Sequence, residues 1–179
     1  STMVEEFTRT ILQATIDGLR AEGRVFVGVL YAGLMLTPNG VRVLEFNCRF
    51  GDPETQVLLP LLDSDLLDIT EACADGRLAD VDVRWKRGAA ACVVLASEGY
   101  PNKYPTGREI VGLDSQFDNA MIFHAGTKIA DDKIVTVGGR VLGGTGWDKD
   151  IESALRRAYK AVEGVRFEGR QYRSDVGWR

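Results

Sequence analysis

The chain has 179 residues, 45% of them hydrophobic, with 26 acidic against 22 basic side chains and a net charge of −4. That is enough for one substantial core or two small ones. The charges are interspersed, so no basic stripe points to a nucleic-acid partner. No apolar run reaches membrane-spanning length, and the charged, amphipathic N-terminus is unlike a signal peptide. Cys48, Cys73 and Cys92 are widely spaced and lack a C-x-x-C pair, which fits reduced thiols in a cytoplasmic protein.

The first element is an amphipathic helix. Val4, Phe7, Ile11, Leu12 and Leu19 recur at helical spacing, Glu5 and Glu6 sit in its first turn, and Gly23 follows its last. Nothing on it converges on chemistry, so it is expected to pack on a core. Arg24–Thr37 then reads as a strand, Pro38-Asn39-Gly40 as a tight turn, and Val41–Asn47 as the returning antiparallel strand. Gly28 and Gly33 interrupt the first strand, as at a bulge or at a close approach of ligand to backbone.

The stretch Val41–Thr55 carries the most chemistry. Glu45, Asn47 and Arg49 alternate, and a strand extended that far aims all three side chains to one side. Glu and Asn offer the oxygens that Mg²⁺ prefers, and Arg offers a planar fork of donors for phosphoryl oxygens. The same spacing also fits the solvated edge of an ordinary strand. Asp52 followed by Pro53 reads as a helix cap and first helical residue, which brings a helix N-terminus near Arg49 as an anion site.

Pro53–Pro60 reads as a short helix. A second, Asp65–Asp75, is expected to be capped by Ser64 and stopped by Gly76. Asp63, Asp65 and Asp68 gather at its start, where negative charge is favoured without any metal. The polar stretch Asp80–Arg87 marks a boundary, dividing the chain into residues 1–82 and 83–179.

After the boundary, Gly88–Ser97 is a continuous small and apolar run, as in a strand buried on both faces. Glu98–Gly107 is an irregular loop with two Tyr-Pro pairs, and Lys103 and Tyr104 stand at its tip. Short strands are expected at Arg108–Val111 and Ala120–Thr127, with a hairpin turn at Asp131-Asp132 leading into Lys133–Val137. Asp150 caps a last helix with Ile151, Ala154, Leu155, Ala158 and Val162 on its apolar face and Gly164 at its end. The tail to Arg179 is aromatic and basic and is expected to pack back. His124 is the single histidine; a general base and a hydrogen-bonded structural residue both fit it. His124-Ala125-Gly126-Thr127 and Gly138-Gly139-Arg140 together offer open backbone N–H groups and a guanidinium for an oxyanion.

L-E-F-N-C-R-F-G-D-P-E-T-Q (Leu44–Gln56) closely resembles the signature of the phosphoribosylamine–glycine ligase family, a branch of the ATP-grasp superfamily. The likeness continues through Gly28–Leu36, Ser64–Leu66, Gly99–Pro101, His124–Thr127, Gly138–Leu142 and Asp175–Arg179, most of the chain. It implies an α+β fold: part of an ATP-grasp domain, an antiparallel sheet with helices, followed by a small C-terminal α+β domain that helps close a substrate cleft. It also implies joining of glycine to 5-phosphoribosylamine with ATP, through a glycyl phosphate, in purine biosynthesis. In that family's pattern Glu45 and Asn47 hold Mg²⁺ or Mn²⁺, Leu44 lies under the adenine, and Arg49 holds the transferring phosphoryl group or the acyl phosphate. Gly51, Asp52 and Glu54 belong to the substrate site, with Asp52 and Glu54 orienting Arg49 or the amine. His124, Gly126, Thr127, Gly138, Gly139 and Arg140 are neighbours of the phosphoribosylamine site.

The same comparison implies that an N-terminal domain, a lid and the first half of the nucleotide grasp precede this stretch. The chain alone is then expected to bind ATP weakly and not to turn over. Two rivals stand beside this reading: another ATP-grasp ligase or carboxylase, and a non-catalytic binding module.

Overall fold

The computed structural model describes residues 2–177, so Trp178 and Arg179, the end of the resembling Asp175–Arg179 stretch, lie outside the described residues. Contacts divide the chain into two units, Ser1–Gly51 with Ser64–Arg84 and Asp52–Asp63 with Trp85–Arg179. The sequence alone suggests a single cut near residue 82, whereas residues 52–63 pack with the C-terminal unit.

In the first unit, α1 (Met3–Phe7), a π-helical stretch (Thr8–Gln13) and α2 (Ala14–Ala21) run on with helical dihedrals at each junction. A capping box starts them. Thr2 Oγ1 accepts from the Glu5 N–H at 3.3 Å, and the Glu5 carboxylate accepts from the Thr2 N–H at 2.7 Å, satisfying donors that a helix start leaves open. Gly23 ends the run at φ +75°, a conformation that costs glycine little.

The hairpin follows as β1 (Tyr31–Thr37) and β2 (Gly40–Asn47), antiparallel from Thr37↔Gly40 to Tyr31↔Asn47. The first strand is shorter than expected, since it begins only at Tyr31. Its register slips between Gly33 and Leu34, which pair with Glu45 and Val43 and leave Leu44 as the extra residue of a bulge.

Helix α4 (Leu66–Ala74) is capped by Asp65, whose Oδ1 accepts from the Leu67 N–H at 2.7 Å. Ser64, the expected cap, is used elsewhere: its Oγ accepts from the Arg84 N–H at 2.8 Å and donates to the Asp82 carbonyl at 3.2 Å. Gly76 stops the helix at φ +69°. Ala72 is the one buried hydrophobic residue described in this unit, and Val25, Val27, Met35, Leu36, Val43, Leu44 and Phe46 are all exposed. The helical run that the pattern assigned to a core has no buried residue.

The second unit has a core of its own. Four antiparallel strands lie in the order β4 (Ala120–His124), β7 (Arg140–Asp148), β3 (Ala89–Ser97), β8 (Arg170–Gln171). Helix α5 (Ile151–Gly164) packs on this sheet, capped as expected by Asp150, which accepts from the Ser153 N–H at 2.7 Å. Val93, Leu95, Val141, Leu142, Ala158, Val162 and Val165 are buried between them.

The sheet and helix approach closely because β7 presents glycines to α5. A Cβ on Gly144 would lie 2.5 Å from Val162 Cγ2, and one on Gly146 would lie 2.5 Å from both the Ala154 carbonyl oxygen and the Ala158 nitrogen. The buried helix residues are accordingly Ser153, Ala154, Ala158, Ala161 and Val162. Ile151, assigned to the apolar face by its spacing, is exposed.

Helix α3 (Thr55–Leu58) and a 3₁₀ turn (Leu59–Leu61) join this unit, with Leu62 bridged to Trp85. The hairpin of β5 (Thr127–Ala130) and β6 (Lys133–Thr136) forms where expected, with Asp131 and Asp132 at φ +48° and +58°, as a two-residue primed turn requires. Among the described residues Arg108–Val111 is no full strand; it carries the isolated bridges Glu109↔Val135 and Val111↔Arg166, with Arg108 also paired to Glu168 and Glu109 to Lys133. The expected strand Ala120–Thr127 is broken after His124, because the Gly126 N–H turns to the Arg140 carbonyl. The tail packs back as far as it is described: Tyr172 and Val176 lie on the core, and the Val176 N–H donates to the Tyr159 hydroxyl at 3.0 Å.

No cysteine pairs with another: Cys48 is exposed and Cys92 lies half-buried on β3. Burial pushes the Cys92 thiol up, the Thr145 hydroxyl opposite it pulls it down, and the Asp52 carboxylate adds a further upward push. Thiolate is the reactive form. In a timed reaction with a thiol reagent at pH 7, Cys48 is therefore expected to be modified first and Cys92 only on unfolding. Equal rates at the two positions would contradict the burial described.

Candidate functional site

Glu45 and Asn47 are brought together as their spacing suggests. Both lie on β2, and the Asn47 Nδ2 amide donates to Glu45 Oε1 at 3.0 Å. Across the ladder stands Gly33, where a Cβ would be 3.1 Å from Glu45 Cγ. A side chain there would press on the Glu45 stem, so the glycine leaves Glu45 room over the hairpin. Two oxygens bound to one Mg²⁺ at adjacent octahedral positions are about 3 Å apart, given bonds of about 2.1 Å. A half-turn of the Asn47 amide would set its oxygen at that spacing from Glu45 Oε1, so the pair fits a hard divalent cation. Leu44, the bulge residue, is 63% exposed, an apolar side chain open to a flat apolar ligand.

Arg49 does not join this face. The strand ends at Asn47, and the guanidinium folds onto its neighbour, with Nη1 donating to the Phe50 carbonyl at 2.9 Å. Alternation holds only while the extended backbone holds. The expected helix cap is also absent. The Asp52–Pro53 peptide is cis and α3 begins only at Thr55, with Glu54 at the cap position making no capping bond to the helix. A four-residue helix offers no helix-end anion site of the kind the sequence suggested. Gly51 is buried, and Glu54 is half-buried.

The Asp52 carboxylate is engaged instead by two residues of its own unit. Gln56 Nε2 donates to its Oδ1 at 3.0 Å, and Arg140 Nη2 lies 3.4 Å from its Oδ2. Arg140 Nη1 also donates to the Asp52 carbonyl at 2.8 Å. Asp52 and Arg140, 88 residues apart in sequence, thus form one cluster. The Arg140 side chain keeps 41% of its surface exposed.

The glycines around Arg140 serve close packing. The Gly126 N–H donates to the Arg140 carbonyl at 2.9 Å and the Gly138 N–H to the Gly126 carbonyl at 3.2 Å. The expectation that these N–H groups stand open to an anion is therefore corrected. A Cβ on Gly126 would lie 2.6 Å from Gly138 Cα, and one on Gly139 would lie 2.1 Å from Tyr100 Cδ2. His124 is exposed, and its Nδ1 is 2.9 Å from Thr127 Oγ1.

Sequence reasoning missed Gly33 as the partner of Glu45 and Gln56 as the partner of Asp52. Counting the hairpin register back from Thr37↔Gly40 puts Gly33 opposite Leu44; only the bulge moves it to Glu45. Gln56 had a faint signal, four residues after Asp52, the reach of one helical turn.

Residues 90–179, half of the chain, match the model of the phosphoribosylglycinamide synthetase C domain, and residues 1–55 match that of the phosphoribosylglycinamide synthetase ATP-grasp (A) domain. The chain is 48% identical to the bifunctional purine biosynthetic protein purD of Dictyostelium discoideum, covering 98% of this chain and 23% of that protein. It is 47% identical to the phosphoribosylamine–glycine ligase of Caldanaerobacter subterraneus subsp. tengcongensis, over 97% of this chain and 41% of the relative. The crystal structure of the phosphoribosylamine–glycine ligase of Thermotoga maritima superposes with a TM-score of 0.83 at 37% identity, over 95% of this chain and 42% of that one. The chain thus spans less than half the length of the relatives it matches. With both domain models matched in order, and with a solved relative sharing its fold, the chain belongs to the phosphoribosylglycinamide synthetase family.

Proposed function

We propose that this chain forms part of an ATP-dependent ligase that joins glycine to 5-phosphoribosylamine, giving ADP and phosphate, in purine biosynthesis in the cytoplasm. The observation that carries the reading is the Glu45–Asn47 contact at 3.0 Å on β2, with exposed Leu44 beside it. Family membership supplies the reaction class. The three unpaired cysteines accord with a reducing compartment.

In this reading the first unit carries part of the nucleotide grasp and the second the substrate-side domain. Glu45 and Asn47 would hold Mg²⁺ or Mn²⁺, which neutralises charge on the phosphates during phosphoryl transfer. Leu44 gives the adenine an apolar seat, and Arg49 swings from the Phe50 carbonyl to the transferring phosphoryl group. A glycine carboxylate oxygen attacks the γ-phosphorus, releasing ADP and leaving glycyl phosphate. The amine nitrogen then attacks the acyl carbon, phosphate departs, and the nitrogen loses a proton. Arg140, held by Asp52, receives the acidic part of phosphoribosylamine. His124, Gly126, Thr127, Gly138 and Gly139 shape the backbone beside it, Glu54 belongs to the same unit as a substrate-side residue, and Gly51 is the substrate contact proposed for the first unit.

The first unit leaves much of its apolar surface in water, including both strands of its hairpin. Faces of that size mark a place for a partner, and the N-terminal part of the same enzyme is the partner proposed. The test is ADP release with Mg-ATP, glycine and phosphoribosylamine generated in place. It is run on this chain alone and on the chain mixed with the N-terminal part of a family enzyme. Turnover is expected only in the mixture, dependent on glycine and on the amine. Full turnover by the chain alone would overturn the partner, and release driven by bicarbonate instead of glycine would overturn the substrate.

A further inference from the structure

We infer that Gln56 is a positioning residue for Arg140, acting through Asp52; this rests on the reading of Arg140 as a contact of the amine substrate. A long exposed arginine is costly to order. Here the cost is met before any ligand arrives. Arg140 Nη1 is fixed on the Asp52 carbonyl at 2.8 Å, and Nη2 faces Asp52 Oδ2 at 3.4 Å. That contact requires the Asp52 carboxylate to be turned one way. Gln56 Nε2 turns it, donating to Oδ1 at 3.0 Å from α3, the element that follows.

Two further observations separate positioning from simple support of the fold. Gln56 Oε1 is buried with no hydrogen-bond partner among the described residues. A buried amide oxygen in that condition is a poor choice for stability, because its unmade bond leaves that oxygen's desolvation uncompensated. What the amide does provide is a single donor aimed at Asp52. The Arg140 main chain is independently fixed, since Gly126 packs against its carbonyl oxygen. Only the guanidinium is left for Asp52 and Gln56 to orient.

The experiment uses the complemented enzyme, with Gln56→Met as the principal variant. Methionine keeps the length and volume, removes the donor to Asp52, and removes the unpartnered oxygen. The expected result is a KM for phosphoribosylamine raised about 5- to 20-fold, kcat within about twofold, and a melting temperature at or above that of the parent. Those ranges correspond to loss of one charge-assisted hydrogen bond. Gln56→Glu, of the same shape but with a carboxylate against Asp52, is expected to raise KM at least as far. In an Arg140→Ala background the Gln56→Met effect on KM is expected to vanish, because nothing is left to orient.

An unchanged KM in both Gln56 variants, or an undiminished effect in the Arg140→Ala background, would overturn the inference. A fall in melting temperature with KM unaltered would assign Gln56 to the fold alone and overturn it equally. If Arg140→Ala itself leaves the KM for phosphoribosylamine unchanged, the reading of Arg140 fails first, and that result is separate from the behaviour of Gln56.

Discussion

Glu45→Gln is expected to lower the kcat for ADP formation by at least about 100-fold in the complemented enzyme, on the order of 3 kcal/mol of transition-state stabilisation. The substitution keeps the shape of the side chain and its position on β2 across from Gly33. It keeps an oxygen beside Asn47 but removes the negative charge that a hard cation needs. The loss is therefore expected to come with a higher Mg²⁺ requirement, read from the metal dependence of the rate. Leu44→Ala is the contrast. Leu44 lies next in sequence and is exposed, and its loss is expected to raise the KM for ATP with the metal requirement unchanged. A Glu45→Gln enzyme with parental kcat and parental metal dependence would remove Glu45 from the metal site.

Gly146→Ala is expected to unfold the C-terminal unit at a markedly lower temperature. Its Cβ would lie 2.5 Å from the Ala154 carbonyl oxygen and the Ala158 nitrogen. Both are helix main-chain atoms, so neither can rotate away as a side-chain end can. Helix α5 must lift from β7, and the contacts of Ala154, Ala158 and Val162 with the sheet loosen together. Overpacking of this kind costs about 3 kcal/mol at the upper end of the usual range. For a domain of this size that is a fall of roughly 12 to 20 °C in melting temperature, read by circular dichroism. Gly18→Ala is the matched control. It lies in α2, where an added Cβ meets nothing within 4 Å, and alanine there is expected to be neutral or slightly stabilising. A Gly146→Ala melt at the parental temperature would contradict the close approach of α5 to β7.

The two predictions draw on different levels of the molecule. That Glu45 and Asn47 meet was legible in the sequence, because β2 holds an unbroken extended backbone between them and a period of two leaves one outcome. The early helix, the hairpin turn, the Asp131-Asp132 turn and the Asp150 cap were legible for the same reason. Each depends on residues within one turn of each other, whose local chemistry no distant contact overrides. Family membership was legible too, since it rests on the order of residue types.

Tertiary structure decided the rest. Alternation places Arg49 on the strand face, but the strand ends two residues before it and the guanidinium is taken up by a neighbouring carbonyl. Their residue type offers Gly126 and Gly138 as open donors, but their N–H groups are used where two stretches of backbone meet. The partnership of Asp52 with Arg140 spans 88 residues, a separation over which no spacing rule speaks. Gly33 faces Glu45 only because one extra residue bulges from β2. The order of residue types settles which side chains could carry the chemistry and which neighbours along the chain share a face, because those follow from backbone period and capping. Which donors stay free, which charges pair and how closely helix meets sheet were decided by packing, since each is a competition among groups that only the folded chain brings within reach.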